Sequence, residues 1–478
     1  MKRKGFTLIE LIAVLIILAI LSLVVVPLVL NIIKSARNSA NKRSVDGYGR
    51  AVDLAIANYL VEHLTYPDTF DKLEIEYSGS KVECKTSRIN PDETVYLSEC
   101  KVNGKLVKDD KEKDGYYHYG ILKMTNQEYV DTYGKNLEDA LKTYHDEHNE
   151  YPSDYTTLEL PQLDKEVSCN VKINCDGTVK LTSCKVDNED VYENDTQEYY
   201  VYGETPLATT CLLLKTNSKS ITTYTDGNTH EMYTFDHEAA SQTPALTDYR
   251  YIGNEPYNYV KFNGDETWRI IGIFDTDDGT GKYEKRIKLI RNEMLNSVMM
   301  WSSNYNNEWK NSILNNYLND DYYNVLSNSS KSLIKESKYY LGGGNTSYEN
   351  VNQYYSWERG ISVINGNSLY WIGNIALMYP SDYIYSFPMI DSCYNNVAGC
   401  RYVSSQGWIF TSSSNSHQWL LMPSSENERN SFYIYYMGSL SCDSVRYELG
   451  VRPTLYLSSR VKIKSGDGTI DNPYEFEL

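Results

Sequence analysis

The chain has 478 residues, of which 41% are hydrophobic and 23% are charged, and its formal net charge is −18. This length exceeds one ordinary core and indicates several domains, and the composition excludes a disordered tail. The acidic balance argues against a nucleic-acid-binding protein, which needs a basic face.

The charge is unevenly distributed along the chain. Residues 1–50 contain eight basic and two acidic side chains, so the remaining residues carry a net charge of −24. The 45 tyrosines supply most of the aromatic side chains, and their hydroxyl groups tolerate water. This composition favours an exposed, tyrosine-rich surface over a dry enzyme core.

An apolar segment near the amino terminus predicts a transmembrane helix at 6–33. Residues 11–30 contain no charged side chain, and about 20 helical residues span the roughly 30 Å hydrocarbon core of a bilayer. Pro27 is tolerated in a membrane helix, where it kinks the axis. Glu10 is expected to have a specific partner, and snorkelling to the lipid headgroups is the alternative for this carboxylate. For the apolar segment as a whole, the alternative to a transmembrane helix is a cleaved secretory signal.

Residues 2–11 read Lys-Arg-Lys-Gly-Phe-Thr-Leu-Ile-Glu-Leu. This sequence resembles the class III leader of type IV pilins and pseudopilins. The resemblance implies a leader peptide at 1–5, cleaved after Gly5 by a prepilin peptidase, and an N-methylated Phe6 as first mature residue. It also implies that Glu10 serves assembly by neutralising the Phe6 ammonium of a neighbouring subunit, and that Pro27 is the helix-kinking proline.

The resemblance also implies a location and partners. The chain is expected to be a single-pass membrane protein with a cytoplasmic amino terminus and extracellular C-terminal domains, able to enter a surface filament. Its implied partners are the prepilin peptidase, other pilin subunits and the membrane. Helical spacing of apolar residues from Val45 to Leu60, interrupted at Tyr66 and Pro67, predicts one continuous spine helix over about 7–63.

An internal repeat begins in this spine. Residues recur at an offset of 85, which slips to 84 and then 83. The repeated residues include Tyr48-Gly49 with Tyr133-Gly134, Tyr66-Pro67 with Tyr151-Pro152, Cys84 with Cys169, Cys100 with Cys184, and Tyr119-Gly120 with Tyr202-Gly203. The repeat predicts two tandem modules, each a helix plus an antiparallel hairpin, at 34–123 and 124–218, and the second helix starts at a Thr125/Glu128 capping box.

Cysteine spacing predicts how the hairpins are joined. Cys169 and Cys184 lie at equal distances from the Asp176-Gly177 turn signal, which places them opposite one another on antiparallel strands. Cys84 and Cys100 are related in the same way to Asp92. Reduced thiols or a metal site are the alternative, opposed by the spacing and by the expected oxidising location. Cys175 and Cys211 are candidates for a third bond.

The remainder is predicted as a polar linker at 219–247 and a β-rich head domain at 248–478. The segments 268–274, 376–383, 450–453 and 466–469 resemble an uncharacterised domain of bacterial surface proteins. More distantly the region resembles C-type-lectin-like and formylglycine-enzyme-like folds, with Trp419 and Arg452 as their late tryptophan and core arginine. Cys393 and Cys400 are predicted to form a disulfide that closes a local loop, which leaves Cys442 unpaired. The predicted fold class is α+β.

No candidate catalytic or metal-binding group outweighs its structural alternative. Ser332 and Lys335 fit the SxxK form without a Lys-Thr-Gly companion. His145 and His148 fit a solvated helix face better than a metal site, and 275–281 fits a hairpin turn better than a calcium loop. Neither His230-Glu231 nor His237-Glu238 forms an HExxH motif. We therefore predict no enzyme activity, metal or cofactor.

The predicted function is that of a type IV pilin-like minor or tip subunit. Its head would serve adhesion, because a domain of about 230 residues in every subunit would crowd a filament shaft. The head's ligand would be a carbohydrate or a protein surface, and its clustered Trp and Tyr side chains would form a sugar platform or, alternatively, pack in the core. The alternative functions are a membrane-anchored binding protein that does not polymerise and an extracellular enzyme.

Overall fold

The computed structural model describes residues 8–67, 69–90, 93–109, 111–112, 114–152, 154–193, 197–216, 230–388, 391–402, 407–410 and 417–478. The chain divides into two compact units. Unit 1 comprises Met1–Lys172 and Leu181–Tyr202, and unit 2 comprises Ile173–Lys180 and Gly203–Leu478. The structure mixes helix and sheet, with a long amino-terminal helix and a β-rich C-terminal region, as the α+β prediction states.

Unit 1 begins with helix α1 (Leu8–His63), which contains Pro27. The helix ends where Leu64 adopts a left-handed conformation with φ of 56°. Val45, Val52 and Ile56 are spaced so that they share one face of the helix, and all three are buried in the core of the first module. The predicted spine helix is thereby confirmed over its described length.

The first module packs a small sheet against α1. Its strands are β1 (Val82–Ile89), β2 (Val95–Val102) and β3 (Lys105–Leu106), in this order and antiparallel. Val95, Leu97 and Val102 of β2 are buried in one apolar cluster with the buried side chains of α1. Because these side chains are buried together, the C-terminal part of α1, from Val45 to Ile56, belongs to the first folded module.

The second module repeats this architecture. Its elements are α2 (Asn126–His148) and the strands β4 (Val167–Ile173), β5 (Val179–Val186) and β6 (Glu189–Asp190), which form a sheet in chain order. Helix α2 starts at the predicted capping box, since the Thr125 side chain accepts from the Glu128 N–H and the Glu128 carboxylate accepts from the Thr125 N–H. It ends at a left-handed Asn149, which lies 85 residues after Leu64.

Unit 2 is built around a seven-stranded sheet with the order β14-β18-β11-β10-β8-β7, in which β9 also pairs with β10. Its neighbouring strands pair antiparallel. The strands are β7 (Met232–His237), β8 (Leu246–Tyr251), β9 (Tyr259–Phe262), β10 (Glu266–Asp277), β11 (Tyr283–Arg291), β14 (Ile375–Ala376) and β18 (Thr454–Tyr456). Strand β10 is buried over most of its length, which makes this sheet the centre of the core.

Smaller elements complete unit 2. Its other strands are β12 (Ser337–Tyr340), β13 (Tyr370–Gly373), β15 (Gln418–Pro423), β16 (Asn430–Ile434), β17 (Leu440–Ser444), β19 (Lys462–Ser465) and β20 (Glu475–Glu477). Its helices are α3 (Ala208–Leu214), α4 (Ile313–Asn316), α5 (Tyr323–Val325), α6 (Asn328–Leu333), α7 (Val351–Glu358), α8 (Pro380–Ile384) and α9 (Asp391–Tyr394). They enclose a single large apolar cluster.

The boundary between the units differs from the predicted linker and head. Strand β7 and the start of β8 fall within 219–247, which was predicted as a linker, and they pair with each other in register from Met232 with Tyr251. Helix α3 also belongs to unit 2, and its Ala208 N–H donates to the Val461 carbonyl in the same unit. Strand β7 buries Met232, Tyr233 and Phe235 in the core of unit 2, but this short apolar pattern is outweighed in the sequence by the polar residues on either side of it.

Candidate functional site

The amino-terminal prediction falls largely on positions that the structure does not describe. Gly5 and Phe6 lie outside the described residues, and so does the side chain of Glu10. In the described part of α1, the apolar side chains over 26–33 are exposed to between 41% and 60%. This stretch of α1 therefore presents an apolar surface that the described parts of the chain leave uncovered.

The structure does not confirm the transmembrane helix predicted at 6–33. Among the described residues, no helix qualifies as a candidate membrane span.

Matching Tyr–carboxylate contacts hold helix and sheet together in the two modules. Tyr119 donates to Asp53 at 2.6 Å, and Tyr202 donates to Glu138 at 3.0 Å. Burial first, and then the hydrogen bond to Asp53, raises the pKa of Tyr119 to about 12. The hydroxyls therefore stay protonated and act as hydrogen-bond donors.

The repeated Tyr-Gly pairs have a packing explanation. A Cβ atom on Gly49 would lie 2.2 Å from the ring of Tyr119, and one on Gly134 would lie 2.3 Å from the ring of Tyr202. Each helix therefore carries a glycine where a tyrosine from the following sheet region lies flat against it. The repeat thus preserves a contact and its two partners together.

The structure contains the four disulfides whose cysteines the sequence singled out. They are Cys84–Cys100, Cys169–Cys184, Cys175–Cys211 and Cys393–Cys400. Cys84 and Cys100 are direct partners in the β1/β2 register, as the spacing predicts. Cys442 is the free cysteine, and burial raises the pKa of its thiol to about 12. Such a thiol is a poor nucleophile at neutral pH.

The SxxK residues do not form a nucleophilic site. Ser332 lies near the end of α6 and donates its hydroxyl to the Ser329 carbonyl at 2.7 Å. Lys335 lies beyond the end of that helix, so the two side chains are not one helical turn apart. Ser332 does line an open polar groove of about 480 Å³ with Lys261 and Lys464. No contact in the described part of this groove activates the hydroxyl.

The histidine and aspartate candidates have local partners. His148 stacks on Tyr144 and His145 packs on Tyr151, at ring-centroid distances of 4.0 and 4.6 Å. In the 275–281 turn, Asp277 accepts from the Gly279 and Gly281 N–H groups. Among the described residues, no group of three or more His, Cys, Asp or Glu side chains could hold a metal ion.

The tryptophans pack in the core and do not form an exposed sugar platform. None of the seven is exposed, and Trp301 contacts both Trp309 and Trp419 edge to face at 5.3 and 5.8 Å. The Trp419 indole donates to the Met299 carbonyl at 2.8 Å. Arg452 is buried and donates to the carbonyls of Arg291 and Ile409. Both residues singled out by the lectin-like resemblance thus have structural contacts inside unit 2.

Unit 2 also contains a cluster of buried charges that sequence reasoning missed. The cluster, here called the ionic cluster, has six members that are each at most 5% exposed: Asp248, Arg250, Lys288, Glu358, Arg359 and Asp382. Arg250 bridges Asp248 and Asp382 at 2.7 and 2.8 Å. Lys288 lies 2.5 Å from Asp382, and Arg359 lies 2.8 Å from Glu358.

Neighbouring groups complete the ionic cluster. Glu358 accepts from both the N–H and the hydroxyl of Ser381 at 2.8 and 2.7 Å. The Nε2 atom of His237 lies 3.0 Å from Oδ2 of Asp248, and its ring stacks on Tyr355 at 3.6 Å. Burial is the main cause that lowers the pKa of His237. With three cations and three carboxylates the cluster is balanced, which limits the cost of burying charges.

The ionic cluster has no room for an organic substrate. The adjoining cavity leaves about 10 Å³ for the centre of a water molecule, which is about one water. The Tyr355 hydroxyl and the Arg359 Nε line it without a hydrogen-bond partner among the described residues. One water in this cavity could satisfy both groups. The ionic cluster is therefore a closed structural centre in which charged side chains contact one another, and it does not form an open active site.

A signal for the ionic cluster is present in the sequence. Asp248 and Arg250 alternate on one strand, so they share a face. Lys288 interrupts the apolar run Ile287 to Ile290, and Asp382 interrupts the run 376–385. A charge inside a fully buried strand requires a buried partner. This rule indicates that partners exist, but the sequence does not show which carboxylate meets which cation.

Comparison with known families gives two matches. Residues 1–26 match the family described as the prokaryotic N-terminal methylation motif, and residues 284–356 match a domain of unknown function (DUF6273). No curated protein and no solved structure matches the chain. The first match supports the type IV pilin-like leader, its processing by a prepilin peptidase, membrane anchoring and surface display. The second covers part of the predicted head and carries no function.

Proposed function

We propose that this protein is a minor or tip subunit of a type IV pilin-like filament, processed after Gly5 and assembled through α1. The match to the methylation motif at 1–26 is the observation that carries the proposal. The exposed apolar residues that follow it, over 26–33, supply a surface for neighbouring subunits. In such a bundle Glu10 neutralises the Phe6 ammonium of a neighbour, since an unpaired charge there is costly.

The assembly proposal is tested with two Glu→Ala substitutions, each of which removes one carboxylate from the same helix. Glu10→Ala is expected to lose recovery in sheared filaments while remaining processed and displayed. Glu62→Ala, at an exposed position of α1, is the matched control and is expected to assemble like wild type. Filament recovery of Glu10→Ala at the wild-type level would refute the assembly role of Glu10.

The mature amino terminus tests the processing step separately. Mass spectrometry of the terminal peptide is expected to find N-methylated Phe6, and any other terminus would contradict the pilin-like assignment. Correct processing together with absence of the wild-type chain from filaments would favour the alternative, a membrane-anchored binding protein that does not polymerise. Quantified subunit ratios in filaments are expected to place this chain well below the main subunit, as the size of its head suggests.

We propose that the head of this subunit serves adhesion. Tyr305 is 43% exposed, and the guanidinium groups of Arg429 and Arg446 lie 5.3 and 4.8 Å from its ring centroid. Arg446 also donates to the Tyr305 hydroxyl at 2.6 Å. Among the described residues neither arginine forms an ion pair. This aromatic patch, with two arginines that have no carboxylate partner among the described residues, favours an anionic carbohydrate ligand.

Adhesion is measured as binding of cells that display the full chain to surfaces coated with a sulfated polysaccharide or with its uncharged counterpart. Arg429→Gln combined with Arg446→Gln is expected to lower binding to the sulfated surface at least tenfold. Tyr348→Ala, another exposed tyrosine, serves as the control. Equal binding by both variants would refute this patch as the adhesive site.

A binding role, and not a catalytic one, is our proposal for the head. It is supported by the local contacts of the two head candidates: the Ser332 hydroxyl donates to the Ser329 carbonyl, and Asp277 accepts from Lys338. A defined hydrolytic activity of the full chain that Ser332→Ala abolishes would contradict this proposal and favour the second alternative, an extracellular enzyme.

A further inference from the structure

One lysine–carboxylate contact in unit 2 is completely enclosed by protein. The Lys288 Nζ atom lies 2.5 Å from Oδ2 of Asp382, and the side chains are 0% and 1% exposed. The two residues are 94 positions apart and join the central strand β11 to helix α8. Every other lysine ion pair of the described residues leaves its lysine at least 17% exposed.

Aromatic side chains surround the Lys288 ammonium in place of water. It lies 4.5 Å from the ring centroid of Tyr379 and 5.3 Å from that of Tyr456. Removing water from an ammonium favours its neutral amine form. Burial accordingly lowers the pKa of Lys288, and Asp382 opposes this shift. The amine form is the nucleophilic one.

The Asp382 carboxyl group is held so that its two oxygens have different partners. Oδ1 accepts from Arg250 at 2.8 Å. Oδ2 accepts from Lys288 and from the Tyr379 N–H at 2.5 and 2.9 Å. Although burial alone would raise it, the cations Lys288 and Arg250 hold the pKa of Asp382 below its ordinary value. The pair is therefore mostly ionic, and its neutral form is a minor species.

We propose that Lys288 and Asp382 condense into an intramolecular isopeptide bond. The Lys288 ammonium first transfers a proton to Oδ2, which gives a neutral amine and a carboxylic acid. The amine nitrogen then attacks the carboxyl carbon and forms the C–N bond. Oδ2 takes a second proton from that nitrogen and leaves as water, so the products are one secondary amide and one water molecule.

Arg250 is placed to assist this step. Its guanidinium donates to Oδ1, where negative charge develops when the amine attacks. Because Oδ2 carries the transferred proton, the oxygen that leaves is the one next to Lys288. A scarce neutral form slows the reaction, but a bond that forms once in the life of the protein needs no rapid turnover.

The condensation also preserves the charge balance of the ionic cluster. It removes one cation and one anion, so Arg250 and Arg359 remain against Asp248 and Glu358. Two buried ions are replaced by a neutral amide, which removes their desolvation cost. The bond would fasten the central sheet covalently to helix α8, an arrangement suited to a domain displayed outside the cell.

Mass spectrometry of the full chain tests the proposal. The chain is produced in a host without prepilin peptidase, reduced, alkylated and digested. A branched peptide that joins Lys288 to Asp382 and is lighter than its two linear parts by one water is expected. Linear peptides that contain unmodified Lys288 and Asp382, found in the folded wild-type protein without the branched species, would overturn the proposal.

Two arginine substitutions complete the test. Lys288→Arg is expected to abolish the loss of water, since a guanidinium is not a nucleophile under these conditions. Lys285→Arg is the control, because Lys285 also lies on β11 and pairs with Asp275, but the two side chains are 37% and 22% exposed. This variant is expected to retain the Lys288–Asp382 isopeptide bond. A loss of water that persists in Lys288→Arg would also overturn the proposal. The wild-type measurement alone remains decisive should Lys288→Arg fail to fold.

Discussion

Gly120 provides a test of how the first module is held together. Its φ is +74°, and a Cβ atom would lie 2.0 Å from the Val95 carbonyl oxygen. Gly104 has nearly the same φ, +76°, but no heavy atom within 4 Å of its Cβ position. Gly120→Ala and Gly104→Ala therefore impose the same backbone strain, and only the first adds a collision with backbone atoms.

The magnitudes of the two effects can be separated. An alanine in the left-handed region costs about 1 kcal/mol, which is the whole expected effect at Gly104. At Gly120 the collision forces apart the paired hydrogen bonds between Leu97 and Tyr119, which are 2.9 and 3.0 Å long. Each contributes about 1 kcal/mol. Gly120→Ala is thus expected to destabilise the module by about 2 kcal/mol more than Gly104→Ala.

Hydrogen exchange of the purified full chain measures this difference locally. A difference of about 2 kcal/mol corresponds to roughly 30-fold faster exchange, because about 1.4 kcal/mol is tenfold. The increase is expected in peptides covering β2, whereas exchange in unit 2 serves as an internal reference. Equal exchange of β2 in the two variants would show that the close approach of Gly120 to Val95 is not important for stability.

Two further predictions concern buried titrating groups in unit 2. The pKa of His237 is lowered in the folded protein, so on acidification the unfolded chain binds a proton at this residue before the folded chain does. The free energy of unfolding should therefore decrease as the pH drops below about 6.5. Tryptophan fluorescence during urea unfolding should show a weaker dependence on pH in His237→Phe, and an unchanged dependence would contradict this assignment. Cys442 is half-buried, and burial raises the pKa of its thiol to about 12. It should therefore resist iodoacetamide at pH 8 until urea unfolds the protein, and rapid labelling of the native chain would contradict the raised pKa.

The parts of the fold that the sequence predicts well are those determined by local spacing. Helix α1 follows from the apolar positions on one face, and its end follows from the break before Pro67. The pairing of Cys84 with Cys100 follows from their equal distances to a turn, because antiparallel register fixes which residues face each other. In each case the interacting groups are close enough in sequence for the pattern to specify the contact.

Long-range contacts explain what sequence reasoning missed. Strand β7 has three buried apolar side chains but lies in a polar segment, so its short pattern does not distinguish it until it pairs with β8. Asp382 meets Arg250 across 132 positions and Lys288 across 94. A buried charge indicates that a partner exists, but the sheet order and the placement of α8 decide which one. The tertiary fold therefore assembles the ionic cluster without a compact sequence motif.

The abundance of tyrosine has a different basis from the one that composition suggests. Tyr339, Tyr354, Tyr383 and Tyr474 are among the largest fully buried side chains. Their hydroxyls find partners inside the core, as when Tyr383 donates to the Gly438 carbonyl at 2.8 Å. With only nine phenylalanines, the chain uses tyrosine for core volume and for hydrogen bonds to loop carbonyls. A tyrosine in such a core specifies both its packing and its partner, which favours one arrangement of the loops over its alternatives.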